Sequence, residues 1–180
     1  MIRQLLYVFM LTLALISGCA LFDSSLDYPR SGEFLILHQP LTIPADTTGL
    51  YIQDGQVSGS GHSRFEPYCE FRVRKLKEVP QVIQPDTFQI TRSRGNTRIV
   101  DAKPVHVAGF RLSSGTSGDD GPSDIIETRE LKLYSAKQPD VILLDCGGAE
   151  DIPGYAVAPG RTEIQKALGK IATISLQAPS

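Results

Sequence analysis

The side chains best suited to binding chemistry are basic residues gathered in two stretches of the chain, at positions 72–77 and 92–98. The planar guanidinium group of arginine matches the paired oxygens of a carboxylate or a phosphate. If the two stretches lie on neighbouring strands, one sheet face would present a surface for an anion or a partner. The alternative is that these charges only keep that face soluble. The arginines concerned are Arg72, Arg74, Arg92, Arg94 and Arg98.

Catalytic chemistry has less support in the residue pattern. The sequence contains no Walker A loop, no H-E-x-x-H, no G-x-S-x-G and no dinucleotide fingerprint. Its three histidines, His38, His62 and His106, lie in separate segments. One catalytic alternative stays open, in which His62, Glu66 and a distant serine form the site of a small hydrolase.

Two polar loops have the composition of ion-binding segments. The Gly- and Ser-rich stretch at 55–63 could cradle an anion with its backbone amides, or it could be a simple connection. At 113–124, Asp119, Asp120 and Asp124 surround Gly121 without the ligand order of an EF-hand. Weak calcium binding and a solvated acidic loop are the two alternatives there. The sequence predicts no metal site and no cofactor.

The first nineteen residues carry signals for export and processing. Arg3 precedes an apolar run from Leu5 to Ile16, which is the order found in a secretory signal peptide. The run is shorter than the roughly eighteen residues that a membrane-spanning helix needs. It ends in Ile16-Ser17-Gly18-Cys19, which resembles the lipobox of bacterial lipoproteins. The resemblance implies lipid transfer to the Cys19 thiol and cleavage before Cys19; the alternative is an uncleaved anchor with an ordinary cysteine.

Lipidation at Cys19 would hold the protein at a membrane. Each buried methylene contributes about 0.8 kcal/mol, so two or three acyl chains anchor firmly. Residue 20 is alanine and not aspartate. For lipoproteins of Gram-negative envelopes, the resemblance then implies transfer to the outer membrane rather than retention in the inner membrane. The predicted location is the outer membrane, with the protein lipid-anchored and facing the periplasm.

Two cysteines remain after lipidation, Cys69 and Cys146. Export takes the chain through an oxidising compartment, where an isolated pair forms a disulfide more often than not. The long loop it would close corresponds to a stabilisation of about 4–5 kcal/mol in the chain-entropy model. Two free buried thiols and a metal site are the alternatives, although no C-x-x-C or H-x-x-x-H spacing accompanies either cysteine.

The amino-acid composition argues against two classes of binding partner. A formal net charge of −2 argues against nucleic acid, and the absence of tryptophan argues against an aromatic sugar-binding platform. Pro67-Tyr68-Cys69 resembles a stretch of uncharacterised lipoproteins in proteobacterial envelopes, and this resemblance implies no activity. The partners predicted are the membrane, through the lipid anchor, and either another envelope protein or an anionic envelope component.

Short apolar runs separated by Gly, Pro, Asp and Ser predict an all-β domain. In the clearest strand, 68–74, Cys69 and Phe71 alternate with polar residues that we expect to face water. At 141–146, Cys146 is in phase with Leu144, so both thiols should face one core. Arg94-Gly95-Asn96 predicts a hairpin loop and Asp54-Gly55 a turn. The other predicted strands cover residues 33–38, 41–43, 49–53, 87–92, 97–100, 105–112, 125–134 and 171–176.

One helix is predicted near the C-terminus. Thr162 is expected to be its N-cap, with Gln165 reaching back in a capping box. Gly169 should end the helix in the left-handed conformation, before a last strand. The alternative is a single helix that continues through Gly169.

These patterns predict a mainly β protein, a single-domain antiparallel sandwich or partly open barrel with one short C-terminal helix. Residues 1–18 are a signal peptide, 19–31 a lipidated N-terminus and tether, and 32–180 the globular domain. The leading functional hypothesis is a non-enzymatic binding or assembly module on the envelope membrane. A small periplasmic hydrolase and a purely structural envelope lipoprotein are the alternatives.

Overall fold

The computed structural model describes residues 27–58, 61–100 and 124–178, and this part of the chain contains ten strands and one helix. Eight strands form one antiparallel sheet that curls into a half-barrel, in the order β10-β1-β7-β8-β9-β5-β3-β4, while β2 and β6 form a second sheet. The mainly β, partly open architecture is therefore confirmed. The elements are β1 (Phe34–Leu37), β2 (Leu41–Ile43), β3 (Gly49–Gln53), β4 (Gln56–Ser58), β5 (Tyr68–Val73), β6 (Gln81–Ile83), β7 (Asp86–Ile99), β8 (Ile125–Tyr134), β9 (Val141–Gly147), α1 (Arg161–Leu168) and β10 (Ala172–Ser175).

The core lies between the curled sheet and α1. Alternate residues of the central strands point to the same side, and Phe71, Leu131 and Leu144 are fully buried there. Helix α1 adds Ile164 and Leu168 to this cluster. Burial of each such side chain contributes about 1.5–3 kcal/mol. We refer to the side of the sheet that faces α1 as the core face and to the opposite side as the outer face.

A disulfide joins Cys69 of β5 to Cys146 of β9 on the core face. The two residues are directly opposite in the ladder, with their Cα atoms 4.0 Å apart and both side chains fully buried. The predicted pairing is confirmed, and so is its basis. Each cysteine lies on the same side of its strand as the buried residue two positions away.

The predicted hairpin loop at Arg94-Gly95-Asn96 is wrong. Strand β7 continues through these residues and pairs with β8 up to its last residue, with Gly95 opposite Arg129. A continuous ladder satisfies the backbone donors and acceptors that face β8 along this segment. That gain outweighs the local preference of Gly-Asn for a turn.

The Asp54-Gly55 turn is confirmed, and it closes a two-residue hairpin between β3 and β4. Both residues have positive φ, 49° and 70°, as the turn preferred by right-twisted hairpins requires. Strands β4 and β6 were not predicted. Each has only three residues and lacks a clear alternation of apolar and polar side chains.

Helix α1 begins one residue before the predicted N-cap. Gly160 is the N-cap, and its backbone N–H donates to the Glu163 carboxylate at 2.9 Å. Gln165 instead bonds to β10, donating to the carbonyl of Ala172 at 2.9 Å and accepting from the amide of Ile174. The helix ends at Gly169 as predicted, with φ of 55° and ψ of −127°, and β10 follows. The ψ angle lies outside the left-handed helical region that we had expected.

Residues 27–31, which the sequence assigned to the tether, contact the body of the domain. The Asp27 carboxylate accepts from Arg161 at 2.7 Å, the ring of Tyr28 lies 3.7 Å from the Arg129 guanidinium, and Pro29 is buried. We name residues 27–33 the strap. The predicted strand at 105–112, with His106, and the acidic stretch at 113–123 lie outside the described residues.

Candidate functional site

Four of the five predicted arginines share the outer face. Arg72 lies on β5, and Arg92, Arg94 and Arg98 lie on β7. Strands β8 and β9 separate β5 from β7. Arg74 follows the end of β5, where its backbone N–H donates to the carbonyl of Asp140 at 2.8 Å. The structure therefore brings the two basic stretches onto one surface, with two strands between them.

A β-bulge determines which way the arginines of β7 point. Phe88 and Ile90 face the core, and a strict two-residue period would place Arg92 and Arg94 on the core face as well. The register shifts between Ile90 and Arg92, so that Arg92 lies opposite Lys132 on the outer face. Bulges of this kind commonly redirect side chains next to functional sites.

The surface is not the purely positive stripe that the sequence suggested, because acidic residues lie between the arginines. Arg94, Glu130, Asp145 and Glu70 follow one another directly across β7, β8, β9 and β5, and the row ends at Tyr51 on β3. We name this set the charged row. Its acids are paired: Glu70 with Arg72 at 3.3 Å, Glu130 with Arg94 at 3.2 Å, and Asp145 with Arg98.

The acids of the charged row lie deeper than the arginines. Glu70 is 7% exposed and Asp145 only 1%, so the expectation that the polar side of β5 is open to water is wrong. Burial raises the pKa of both carboxyl groups, against the opposing charges of Arg72 and Arg98. Within the described residues, Asp145 Oδ1 and Thr128 Oγ1 have no hydrogen-bond partner.

Three rings cover one end of the charged row. The His62 ring lies 3.7 Å from the Tyr68 ring and 4.4 Å from the Tyr51 ring, measured between centroids. Gly147 makes room for Tyr68, since a Cβ at that position would lie 2.6 Å from Tyr68 Cε1. Burial lowers the pKa of His62, and the charges of Arg98 and Arg64 lower it further. The three rings pack against one another at the edge of the outer face.

The hydrolase alternative requires a hydrogen-bonded chain that starts at His62. In the described ranges, no hydrogen bond joins the His62 ring to Glu66 or to a serine, and Glu66 instead accepts from Gln53 Nε2 at its backbone carbonyl. His38 bonds to the Thr173 hydroxyl at 2.8 Å on the other edge of the sheet. The described residues thus do not assemble the proposed catalytic set.

The outermost basic residues line a small cavity of about 90 Å³ on β7 and β8. It is formed by Arg92, Arg94, Glu130 and Lys132, and we name it the cationic notch. Glu130 is already engaged, since it accepts from both Arg94 and Asn96. Among the described residues, neither Arg92 nor Lys132 forms an ion pair with a carboxylate.

Alternation along β8 identifies part of this site, because it predicts that Glu130 and Lys132 point outward. Asp145 is the one charged residue inside the apolar β9, which is a signal that sequence analysis overlooked. Over the described part of the chain, no group of three or more His, Cys, Asp or Glu side chains is arranged to hold a metal ion. No helix there is long and apolar enough to cross a bilayer.

Comparison with known proteins gives no match to a family model, to a curated protein or to a solved structure. Functional inference therefore depends on the chain's own residues. Those residues define a disulfide-braced β half-barrel with a polar, largely ion-paired outer face.

Proposed function

We propose that this protein is a lipid-anchored envelope protein of the outer membrane that acts as a non-enzymatic binding or assembly module in the periplasm. The observation that carries the proposal is the lipobox Ile16-Ser17-Gly18-Cys19 after a short apolar run. The buried Cys69–Cys146 disulfide supports it, since such bonds persist in oxidising compartments. The partner proposed is another envelope protein or an anionic envelope component.

The outer face supports binding rather than catalysis. Its acids are paired, and Glu70 and Asp145 are buried, whereas Arg92 and Lys132 are exposed on neighbouring strands. The arginines that pair with Glu70 and Glu130 also keep about half of their side chains open to solvent, 42% for Arg72 and 55% for Arg94. Such a surface offers several guanidinium groups to one anionic partner.

The strap defines how far the domain can stand from the bilayer. Asp27 is bonded to Arg161 through its backbone carbonyl and its carboxylate, each at 2.7 Å. The eight residue steps from Cys19 to Asp27 span at most about 26–29 Å when fully extended. A lipidated Cys19 would therefore keep the outer face within reach of partners at the membrane surface.

Mass spectrometry of the native protein tests the anchor. We expect a species that begins at Cys19 and carries a diacylglycerol group, and we expect it in the outer-membrane fraction. Cys19→Ser should yield a chain without lipid that keeps its signal peptide. A native chain with an unmodified thiol at Cys19, or with a different first residue, would contradict the proposal.

Cross-linking tests the binding surface separately. Charge reversal by Arg92→Glu should reduce cross-linking to envelope components, because it places a carboxylate on the outer face beside Arg94. Lys75→Glu is the matched control: Lys75 is also an exposed cation, but it contacts Asp140 near the end of β5. Equal cross-linking of wild type and the Arg92→Glu variant would argue against this face.

A further inference from the structure

The cationic notch contains an arrangement that costs stability unless something binds there. Arg92 and Lys132 are direct partners in the β7–β8 ladder, so two like charges face each other across neighbouring strands. Like charges in this position are destabilising. Arg94 lies two residues from Arg92 on the same face and adds a third cation.

Within the described ranges, the acids of the charged row have ion-pair partners, whereas these two cations have none. Glu70, Glu130 and Asp145 each have an arginine partner. Among the described residues that line the notch, Glu130 is the one carboxylate, and it already accepts two hydrogen bonds. The β-bulge before Arg92 is what brings this arginine opposite Lys132. A local irregularity of the ladder thus places two cations side by side that no carboxylate of the described residues pairs with.

We propose that the cationic notch binds the phosphate group of a small molecule or lipid, with Arg92 and Lys132 as its ligands and Arg94 as a further donor. The inference uses the proposed function only in taking the outer face as a binding surface. A cavity of about 90 Å³ matches a single oxyanion and not a drug-sized ligand, which needs roughly 300 Å³ or more. The negative charge of a phosphate group offsets the repulsion between the two cations, and its oxygens suit the guanidinium fork.

Protection of Lys132 from an amine-reactive reagent measures occupancy directly. The probe is inorganic phosphate at constant ionic strength, added to the mature protein as purified from cells in neutral detergent. We expect saturable protection of Lys132 by at least fivefold, while Lys170, an exposed lysine outside the notch, keeps its reactivity. The Arg92→Gln variant should lose most of this protection, whereas Arg74→Gln should retain it. Unprotected Lys132, or equal protection in the Arg92→Gln variant, would overturn the proposal.

A second measurement separates binding from a structural role. Without phosphate, Arg92→Gln should melt at a temperature equal to or higher than that of the wild type, since it removes a repulsion. Phosphate should raise the melting temperature of the wild type and not that of the variant. A variant that melts lower and responds to phosphate as the wild type does would assign Arg92 to structure and overturn the proposal.

The source of the phosphate is distinguished in lipid nanodiscs. Protection of Lys132 by phosphatidylglycerol discs without added phosphate, and not by phosphatidylcholine discs, would assign the site to anionic lipid headgroups. Protection only after inorganic phosphate is added would assign it to soluble phosphate compounds. Absence of protection in both arms would overturn the inference. Neither arm depends on the modification at Cys19, so failure here is distinct from failure of the lipid anchor.

Discussion

Asp145 is the most deeply buried charged residue of the charged row. It is 1% exposed, one carboxylate oxygen is paired with Arg98, and within the described residues the other has no partner. Transfer of a carboxylate from water into such a site is unfavourable unless the group is protonated or fully paired. Burial consequently raises the pKa of Asp145 above its ordinary value, and the charge of Arg98 offsets only part of that effect.

Asp145→Asn should change how stability depends on pH. A carboxyl whose pKa is raised in the folded state stabilises the fold fully below its unfolded-state pKa, about 3.9, and loses that contribution as the pH rises through the folded pKa. We therefore expect the free energy of unfolding of the wild type, relative to the variant, to increase as the pH falls from about 7 towards about 4. Urea denaturation at several pH values measures this difference.

Asp86→Asn is the matched control for this measurement. Burial raises the pKa of Asp86. Hydrogen bonds from Ser135, Gln138 and the backbone of Thr87 lower that pKa by more, so that it lies below its ordinary value. Its stabilising contribution is therefore lost only as the pH falls below about 4. The wild-type minus variant difference should stay flat between about pH 5 and pH 7. An Asp145→Asn difference that does not increase between about pH 7 and pH 4 would contradict the inferred environment of Asp145.

Sequence alone predicts part of this residue-scale picture. Alternation predicts that Cys69 and Cys146 share the core and that Glu130 and Lys132 point outward, because these statements need only the period of a strand. It does not predict that Glu70 is buried beside Asp145. That contact depends on the pairing of β5 with β9, strands separated by more than sixty residues of chain. The alternation of residues within one strand contains no information about which distant strand it pairs with.

At the scale of elements, the end of α1 packs against the β3–β4 turn through two glycines. Gly169 has φ of 55°, and a Cβ there would lie 2.6 Å from the Cα of Gly55. Gly55 also donates its backbone N–H to the carbonyl of Ala167 at 2.9 Å. The helix end and the hairpin turn therefore require glycine for two reasons, the positive φ and the close backbone approach.

Gly169→Ala should destabilise the protein by about 1–3 kcal/mol, because it combines backbone strain with a clash against Gly55. Thermal or urea unfolding measures the change. Gly61→Ala is the control, since a Cβ at Gly61 would meet nothing within 4 Å and its φ is not positive. Equal stability of the two variants would show that the two backbones can move apart at little cost.

The sequence predicts the ends of a strand correctly where apolar and polar residues alternate clearly and the strand is long enough to show that alternation. Strands β3 and β8 have the bounds that the sequence predicts, Gly49–Gln53 and Ile125–Tyr134. The error at Gly95 has a different cause, since a local turn signal was overridden by pairing with β8. The bulge before Arg92 has no local signal either. Both features are properties of a strand pair and not of one strand.

At the scale of the whole molecule, the strap and α1 are held together by one arginine. Arg161 pairs with Asp27 at 2.7 Å and with Glu33 at 2.8 Å, and Glu33 is 6% exposed. The Gly32 amide also donates to the carbonyl of Ile90 on β7. The strap thus joins the helix to the sheet and defines where the chain leaves the domain towards Cys19.

Arg161→Met should destabilise the protein by about 3–5 kcal/mol, because it removes the partner of a buried carboxylate while keeping an unbranched apolar stem. Combining it with Glu33→Gln should recover a large part of that loss, since no uncompensated charge then remains buried. Lys166→Met, on the same helix, should cost less than about 1 kcal/mol, because Lys166 forms only a partly exposed pair with Asp54 at 3.7 Å. Urea denaturation measures all three.

Release of the strap has a further consequence for the proposed anchor. If the strap detaches from the folded domain in the Arg161→Met variant, the extended segment between Cys19 and β1 becomes seven residues longer. Its maximum length then increases by roughly 23–25 Å. Limited proteolysis should then cut within 27–33 at a rate well above that of the wild type and of Lys166→Met. Unchanged cleavage would mean that the Gly32 amide and the Ser31 hydroxyl, which donates to the Thr91 carbonyl, hold the strap in place without Arg161. The distance from the bilayer at which the outer face meets its partner would then be independent of this ion pair.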